Sequence, residues 1–245
     1  MSEIIRSVKK FVGGCIRALP PRLQCMVIAA RAAGRVRRGR GTFMHRSVQV
    51  LGKQSVVIGA NTVVSQDCWL NVNHRVPGEI AIRLGDNCFI GRRNFFSSGR
   101  LIVLKDFVLT ANDCHFLGSS HVTDDPMRPV ITTGTTASDT IVVGTNTFIG
   151  AGARLVGDVT VGHGCIVAAG STVTKSVPPF SQVVGNPATA RKRYSVIRRV
   201  WVPLADFTAE DERALPSESD YLEMLMRHPG IAMPYIAAGS DLGNC

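Results

Sequence analysis

From Val143 onward an aliphatic residue recurs at every sixth position: Val143, Ile149, Leu155, Val161, Val167 and Val173. Four residues after each comes a side chain of small or modest size, namely Thr147, Ala153, Val159, Cys165, Ser171 and Val177. Gly144, Gly150 and Gly162 directly follow three of the aliphatics. Burial repeats near 3.6 residues on a helix and near 2 on a strand, so a period of six predicts neither a long helix nor a flat sheet. It predicts short strands joined by turns, each turn carrying the chain onto the next face of a solenoid. Three hexads make one coil of a triangular prism, with the aliphatic inward and the glycine after it helping the corner bend. The 36 residues from Val143 to Pro178 supply two coils, stacked about 4.8 Å apart by parallel pairing.

The same phase runs more loosely upstream, through Ile58, Val64 and Leu70, then Leu84, Ile90 and Phe96, then Leu104, Thr110 and Phe116. Thr62, Cys68, Cys88 and Asn94 hold the small position there. A β-rich sandwich alternating by chance is the competing reading, and six in-phase aliphatics with matched small residues speak against it. The period fails between Phe116 and Ile141, where the chain reads His121-Val122-Thr123-Asp124-Asp125-Pro126-Met127-Arg128-Pro129. A long excursion from a rigid scaffold is where function tends to sit.

The run Val173-Thr174-Lys175-Ser176-Val177-Pro178-Pro179, followed by Gly185-Asn186-Pro187-Ala188, resembles the closing coil of the hexapeptide-repeat acyltransferases. The likeness covers about Val48 to Tyr194 and is greatest to sugar and polysaccharide O-acetyltransferases, such as the galactoside and maltose members. It implies an all-β solenoid, a left-handed parallel β-helix; the hand comes from the resemblance alone, because crossovers are ordinarily right-handed. The chain then divides into a basic, partly amphipathic helical arm over 1–46, the repeat domain over 47–194 with an active-site loop at 117–140, and a mixed extension over 195–245.

The resemblance also implies a reaction: transfer of an acetyl group from acetyl-CoA to a hydroxyl or amino group of a sugar or glycan precursor. In that family a loop histidine in segments of the form H-x-x-x-D-P is the general base, and His121, five residues before Pro126, matches it. An imidazole titrating near neutrality suits removal of a hydroxyl proton during direct attack on a thioester. His115 is the competing base, and Asp113, Asp124 or Asp125 could orient the ring. For the donor, Ala151, Ala169, Thr174 and Lys175 match positions that line pantetheine and phosphates in relatives. Lys175 with Arg191 and Lys192 could neutralise the phosphates, against the alternative of a solvated basic face. Phe148 stands where several relatives have tryptophan. The family's sites lie between neighbouring prisms, which implies a homotrimer.

Two other classes compete. A γ-type carbonic anhydrase uses the same prism with three histidines around zinc, and His74, His115 and His121 invite that comparison. His121 falls in a loop, however, and the closing coil points to coenzyme A, so no metal is expected. The second rival is a non-catalytic scaffold subunit of a polysaccharide-assembly complex. His45, His74, His163 and His228 read as structural or solvated.

Charge separates the segments. Residues 1–46 hold eleven Lys or Arg against Glu3, whereas the tail beyond Tyr194 is net acidic. Ile4, Ile5, Val8, Phe11, Val12, Cys15, Ile16 and Leu19 sit at helical spacing among Arg6, Lys9, Lys10 and Arg17, up to Pro20-Pro21. Such a helix either caps the first coil, the favoured reading, or lies on an anionic membrane surface. Nucleic acid is not expected, because no aromatics interleave the basic stretch. No apolar run approaches eighteen residues and no signal peptide is seen, so the chain reads as cytoplasmic, with peripheral contact at the inner membrane face an open reading. Four of the seven cysteines, Cys68, Cys88, Cys114 and Cys165, fall on small hexad positions and read as core thiols, with no paired spacing for a zinc or redox site. In the tail, Trp201, Leu204, Phe207, Tyr221 and Leu225 provide apolar content for a cap, with a helix start at Glu210 to Glu212.

Overall fold

The computed structural model describes residues 35–228; the helical arm expected at the amino terminus and the residues beyond 228 lie outside that range. Within it the chain winds as a three-sided parallel β-helix. The first face stacks Arg37–Arg38, Val56–Ile58, Ile82–Leu84, Leu101–Leu104, Thr140–Val143 and Val159–Val161. The second stacks Phe43–Met44, Val63–Val64, Phe89–Ile90, Leu109–Thr110, Phe148–Ile149 and Ile166–Val167, and the third Gln49–Leu51, Trp69–Val72, Phe95–Ser98, His115–Leu117, Arg154–Val156 and Thr172–Val173. Register follows the period. Val143 pairs with Val161, Ile149 with Val167 and Leu155 with Val173, each residue lying on the one three hexads later.

Pairing begins at Arg37, which faces Val57, so residues 37–46 belong to the first coil although their charge placed them in the arm. Coil one carries only a weak hexad signal, because Arg38 stands where the next coil has Ile58, while Met44 and Val50, six residues apart and paired with Val64 and Leu70, are only partly buried against the core. Farther along, the inward residues are buried, and Phe96 and Phe116 stack among them with centroids 4.5 Å apart and planes 10° from parallel.

The corners correct one expectation. Gly144, Gly150 and Gly162 are not needed for a left-handed backbone, since none of them has positive φ. A Cβ there would lie 2.4–2.5 Å from backbone nitrogen of the next coil, at His163, Ala169 and Pro179. Close stacking, not bending, demands glycine. The left-handed position comes two residues later, at Asn146, Gly152 and Gly164, residue types that tolerate it.

The small hexad position also does more than save space. Thr62 Oγ1 donates to Gly85 O at 2.7 Å and Thr147 Oγ1 to Gly162 O at 2.9 Å, while Cys68 Sγ reaches Gly91 O at 3.0 Å and Cys88 Sγ reaches Lys105 O at 3.1 Å. Corner carbonyls that strand pairing leaves over are thereby satisfied inside the prism. Burial pushes Cys68 and Cys165 up to about 11 and Cys88 and Cys114 up to about 12, so these thiols stay protonated and serve as core. Val177 departs from its expected place: it bridges Val161 and takes an aliphatic slot, because the closing turn is shorter than a hexad.

The last coil is closed by Ser181–Gly185, which pairs antiparallel with Ala188–Ser195, itself paired with Val200–Pro203. Two helices follow, α1 (Ala209–Arg213) and α2 (Glu218–Met226). Thr208 and Asp211 close a reciprocal capping box on α1. Arg193, almost fully enclosed, pairs with Glu212, donates to Pro179 O at 2.9 Å and lies 4.2 Å from the Phe207 ring. Glu218 accepts from Lys105 and from Thr145 N, and the Tyr221 ring packs edge-on to Phe180. The extension thus clasps the later coils, and its helix start falls where the acidic run Glu210 to Glu212 predicts one.

Candidate active site

The loop between Leu117 and Thr140 leaves the third face and returns to the first. Its root is a short antiparallel ribbon. Val122 N donates to Gly134 O at 2.9 Å, Thr136 N to Ser120 O at 2.7 Å and Ser120 N to Thr136 Oγ1 at 3.0 Å. His121 lies in this ribbon, bridged antiparallel to Thr135, and its side chain is exposed. Beyond the ribbon, 123–132 is solvent-facing and includes the 3-10 turn Val130–Thr132. Among the described residues no hydrogen bond is made to the His121 ring, which leaves both nitrogens accessible to an incoming hydroxyl.

Of the carboxylates expected to orient a histidine, Asp113 is engaged elsewhere. It sits at a left-handed corner and takes two hydrogen bonds from Arg93, which hold its carboxyl below the usual carboxylate range. Asp125 accepts from Met127 N at 3.0 Å within its own turn. His115 opens a strand of the third face, half-buried and edge-on to Phe95 at 6.1 Å between centroids, in a column with Trp69, Phe95 and Arg154. A ring wedged in that column is less free to meet a substrate than His121.

The donor-site candidates spread along the carboxyl-terminal coils. Ala151 and Ala169 occupy successive corners, joined by the bond from Gly170 N to Ala151 O at 2.8 Å, and both are exposed. Beside them a Cβ on Gly152 or Gly170 would meet nothing within 4 Å, so this edge is open enough for an extended arm to lie against the backbone. Thr174 and Lys175 are exposed at the next corner of the same coil, and Arg191 and Lys192 are exposed on the antiparallel strand beyond it. Phe148 points outward on the second face, 38% exposed. No three His, Cys, Asp or Glu among the described residues are placed to hold a metal ion, and no described helix is long and apolar enough to cross a membrane.

Two histidines read as structural or solvated have specific partners: His163 is structural, as expected, and His74 contacts the loop that bears His121. His163 is buried, hydrogen-bonded to Pro216 O at 3.2 Å and packed on Phe180 and Tyr221, so it anchors the extension to the prism. His74 reaches the 118–139 loop from a second, shorter break in the coils. The available signal was a slip in phase: Leu84 does not fall on the six-residue ladder through Leu70.

Comparison with known proteins agrees with this architecture. Residues 140–175 match the family model "Bacterial transferase hexapeptide (six repeats)". It is 31% identical over 114 residues to "Probable acetyltransferase Rv3034c" of Mycobacterium tuberculosis, covering 46% of this chain and 38% of that protein. It is 31% identical over 131 residues to "Putative acetyltransferase SACOL2570" of Staphylococcus aureus, covering 54% and 61%. The chain therefore spans less than two thirds of the length of either. Galactoside O-acetyltransferase of Escherichia coli is 27% identical over 191 residues, 76% of this chain and 86% of that enzyme. Among solved structures, AntD of Bacillus cereus, an N-acyltransferase crystallised with dTDP and coenzyme A, shares the fold at a TM-score of 0.57 and 16% identity, over 80% of this chain and 95% of its own.

Proposed function

We propose that this chain is an acetyl-CoA-dependent acetyltransferase acting on a hydroxyl or amino group of a sugar or glycan precursor, with His121 as general base. The observation that carries the reading is the exposed imidazole on a hydrogen-bonded ribbon at the root of a long loop, on a prism whose repeat matches a bacterial transferase model and whose sequence is similar to putative acetyltransferases. The sugar class rests on relatives such as galactoside O-acetyltransferase. A left-handed coil and a trimer with sites between prisms belong to the same proposal.

Acetyl-CoA supplies an acyl carbon activated as a thioester. His121 takes the acceptor's proton as the oxygen or nitrogen attacks, and returns it to the departing thiolate sulfur. The four described cysteines, buried and protonated, offer no nucleophile for a covalent acyl-enzyme, which favours direct attack. Ala151 and Ala169 leave room along the corner for the pantetheine arm, and Lys175, Arg191 and Lys192 offer cations for its phosphates.

Thiol release from acetyl-CoA, followed over a panel of sugar, nucleotide-sugar and lipid-linked acceptors, tests the reading. His121→Ala should lower turnover by about 10²-fold or more without unfolding the protein, and His115→Ala should cost far less. Near-wild-type turnover in His121→Ala would remove the base assignment. Absence of thiol release with every acceptor tried would favour the scaffold reading.

A further inference from the structure

We propose that His74 is a positioning residue for His121, a clamp that holds the strand against which the base is paired. The inference rests on His121 being the base. His74 Nε2 lies 3.0 Å from Thr136 O and 3.1 Å from Thr135 Oγ1. A carbonyl only accepts, so Nε2 carries its hydrogen toward Thr136, with the Thr135 hydroxyl oxygen alongside. Thr135 is the residue bridged to His121, and Thr136 O also accepts from Ser119 Oγ at 2.8 Å. One imidazole therefore joins both residues of the return strand at the level of the base.

The clamp has a fixed footing. Asn73 Nδ2 donates to Ser97 Oγ at 2.9 Å and to Ser98 O at 3.2 Å, and Asn71 Nδ2 donates to Asn73 Oδ1 at 2.6 Å. Arg75 Nε donates to Val72 O at 3.2 Å. The residues on either side of His74 are thus tied to the third face and to its next strand, Phe95–Ser98. The loop segment 123–132, by contrast, is solvent-facing throughout, and Val122 at its edge is half-buried. A ribbon of a few hydrogen bonds at the root of an exposed loop frays readily, and His74 supplies a tie from outside the loop. A base displaced by about 1 Å can lose up to about 10²-fold in rate.

The test uses the full chain. His74→Ala should lower kcat about 10-fold while the KM for acetyl-CoA and the Tm stay near wild type. Hydrogen exchange at the amides of Val122 and Thr136 should quicken. His74→Gln, whose amide can donate to Thr136 O, should recover most of the rate, with the acid limb of the pH profile intact because glutamine does not titrate. In a His121→Ala background, His74→Ala should add little further loss, since it acts through that residue. Wild-type kcat in His74→Ala, or loss of rate with unchanged exchange at Val122 and Thr136, would overturn the clamp. If His121→Ala itself keeps its turnover, the base assignment falls, and exchange at the same two amides still decides whether His74 holds the ribbon.

Discussion

Arg93 donates from Nε and Nη2 to the two carboxylate oxygens of Asp113, at 2.7 and 2.8 Å, across successive corners of the same prism edge. Both residues adopt left-handed backbone, φ 56° and 61°, so the pair belongs to a corner column with Asp67, Gly152 and Gly170. Its role is to stack coils.

Asp113→Asn should therefore leave kcat nearly unchanged. The pair is about half exposed, 55% and 48%, where ion pairs contribute little, so the Tm should also move little. A loss of kcat comparable to that of His121→Ala would return Asp113 to the reacting groups.

The core should respond steeply. Phe116 is fully buried and stacked on Phe96, and Phe116→Ala should cost about 3–5 kcal/mol in urea unfolding. Phe148→Ala on the outer surface should change stability by no more than about 0.5 kcal/mol. Equal costs would mean that Phe148 is covered in the working assembly.

Asp211 predicts an acid dependence. Its carboxylate accepts from Ser195 Oγ, from Thr208 N at 2.9 Å and from Arg198 at 2.6 Å, and these bonds hold its pKa well below the usual range. The unfolded value is about 3.9. A depressed folded value gives stability that is fully present above the unfolded pKa and is lost as the pH falls toward the folded one. The Tm gap between wild type and Asp211→Asn should accordingly be wide and flat at neutral pH and narrow below about pH 4. A gap independent of pH down to the acid limit would show that the charge is not what Asp211 contributes.

Lys175→Ala should raise the KM for acetyl-CoA more than the KM for the dephospho-CoA thioester, if its ammonium meets the ribose phosphate. An equal rise with both donors would place Lys175 elsewhere along the arm.

The three-sided prism was legible because burial within one coil is a local rule. Each inward residue obeys it independently, so Val143, Ile149 and Leu155 announce the faces without any partner. The excursion bearing His121 was legible for the converse reason, as a place where the rule stops. What depends on one coil lying on another was not. The glycines stood out in the sequence, but their purpose, admitting the backbone of the next coil within 2.4–2.5 Å of where a Cβ would be, exists only after stacking. Cys68, Cys88 and Thr62 read as merely small, whereas the structure makes them donors to corner carbonyls of a later coil. Nothing in the sequence separates Arg193 from its basic neighbours Arg191 and Lys192; it is enclosed only once the chain folds back to bring Glu212, Phe207 and Pro179 around it. His74 and Thr136 stand 62 positions apart. No periodicity links residues at that separation; the stacking of coils brings them together, because a solenoid turns sequence distance into a short step along its axis.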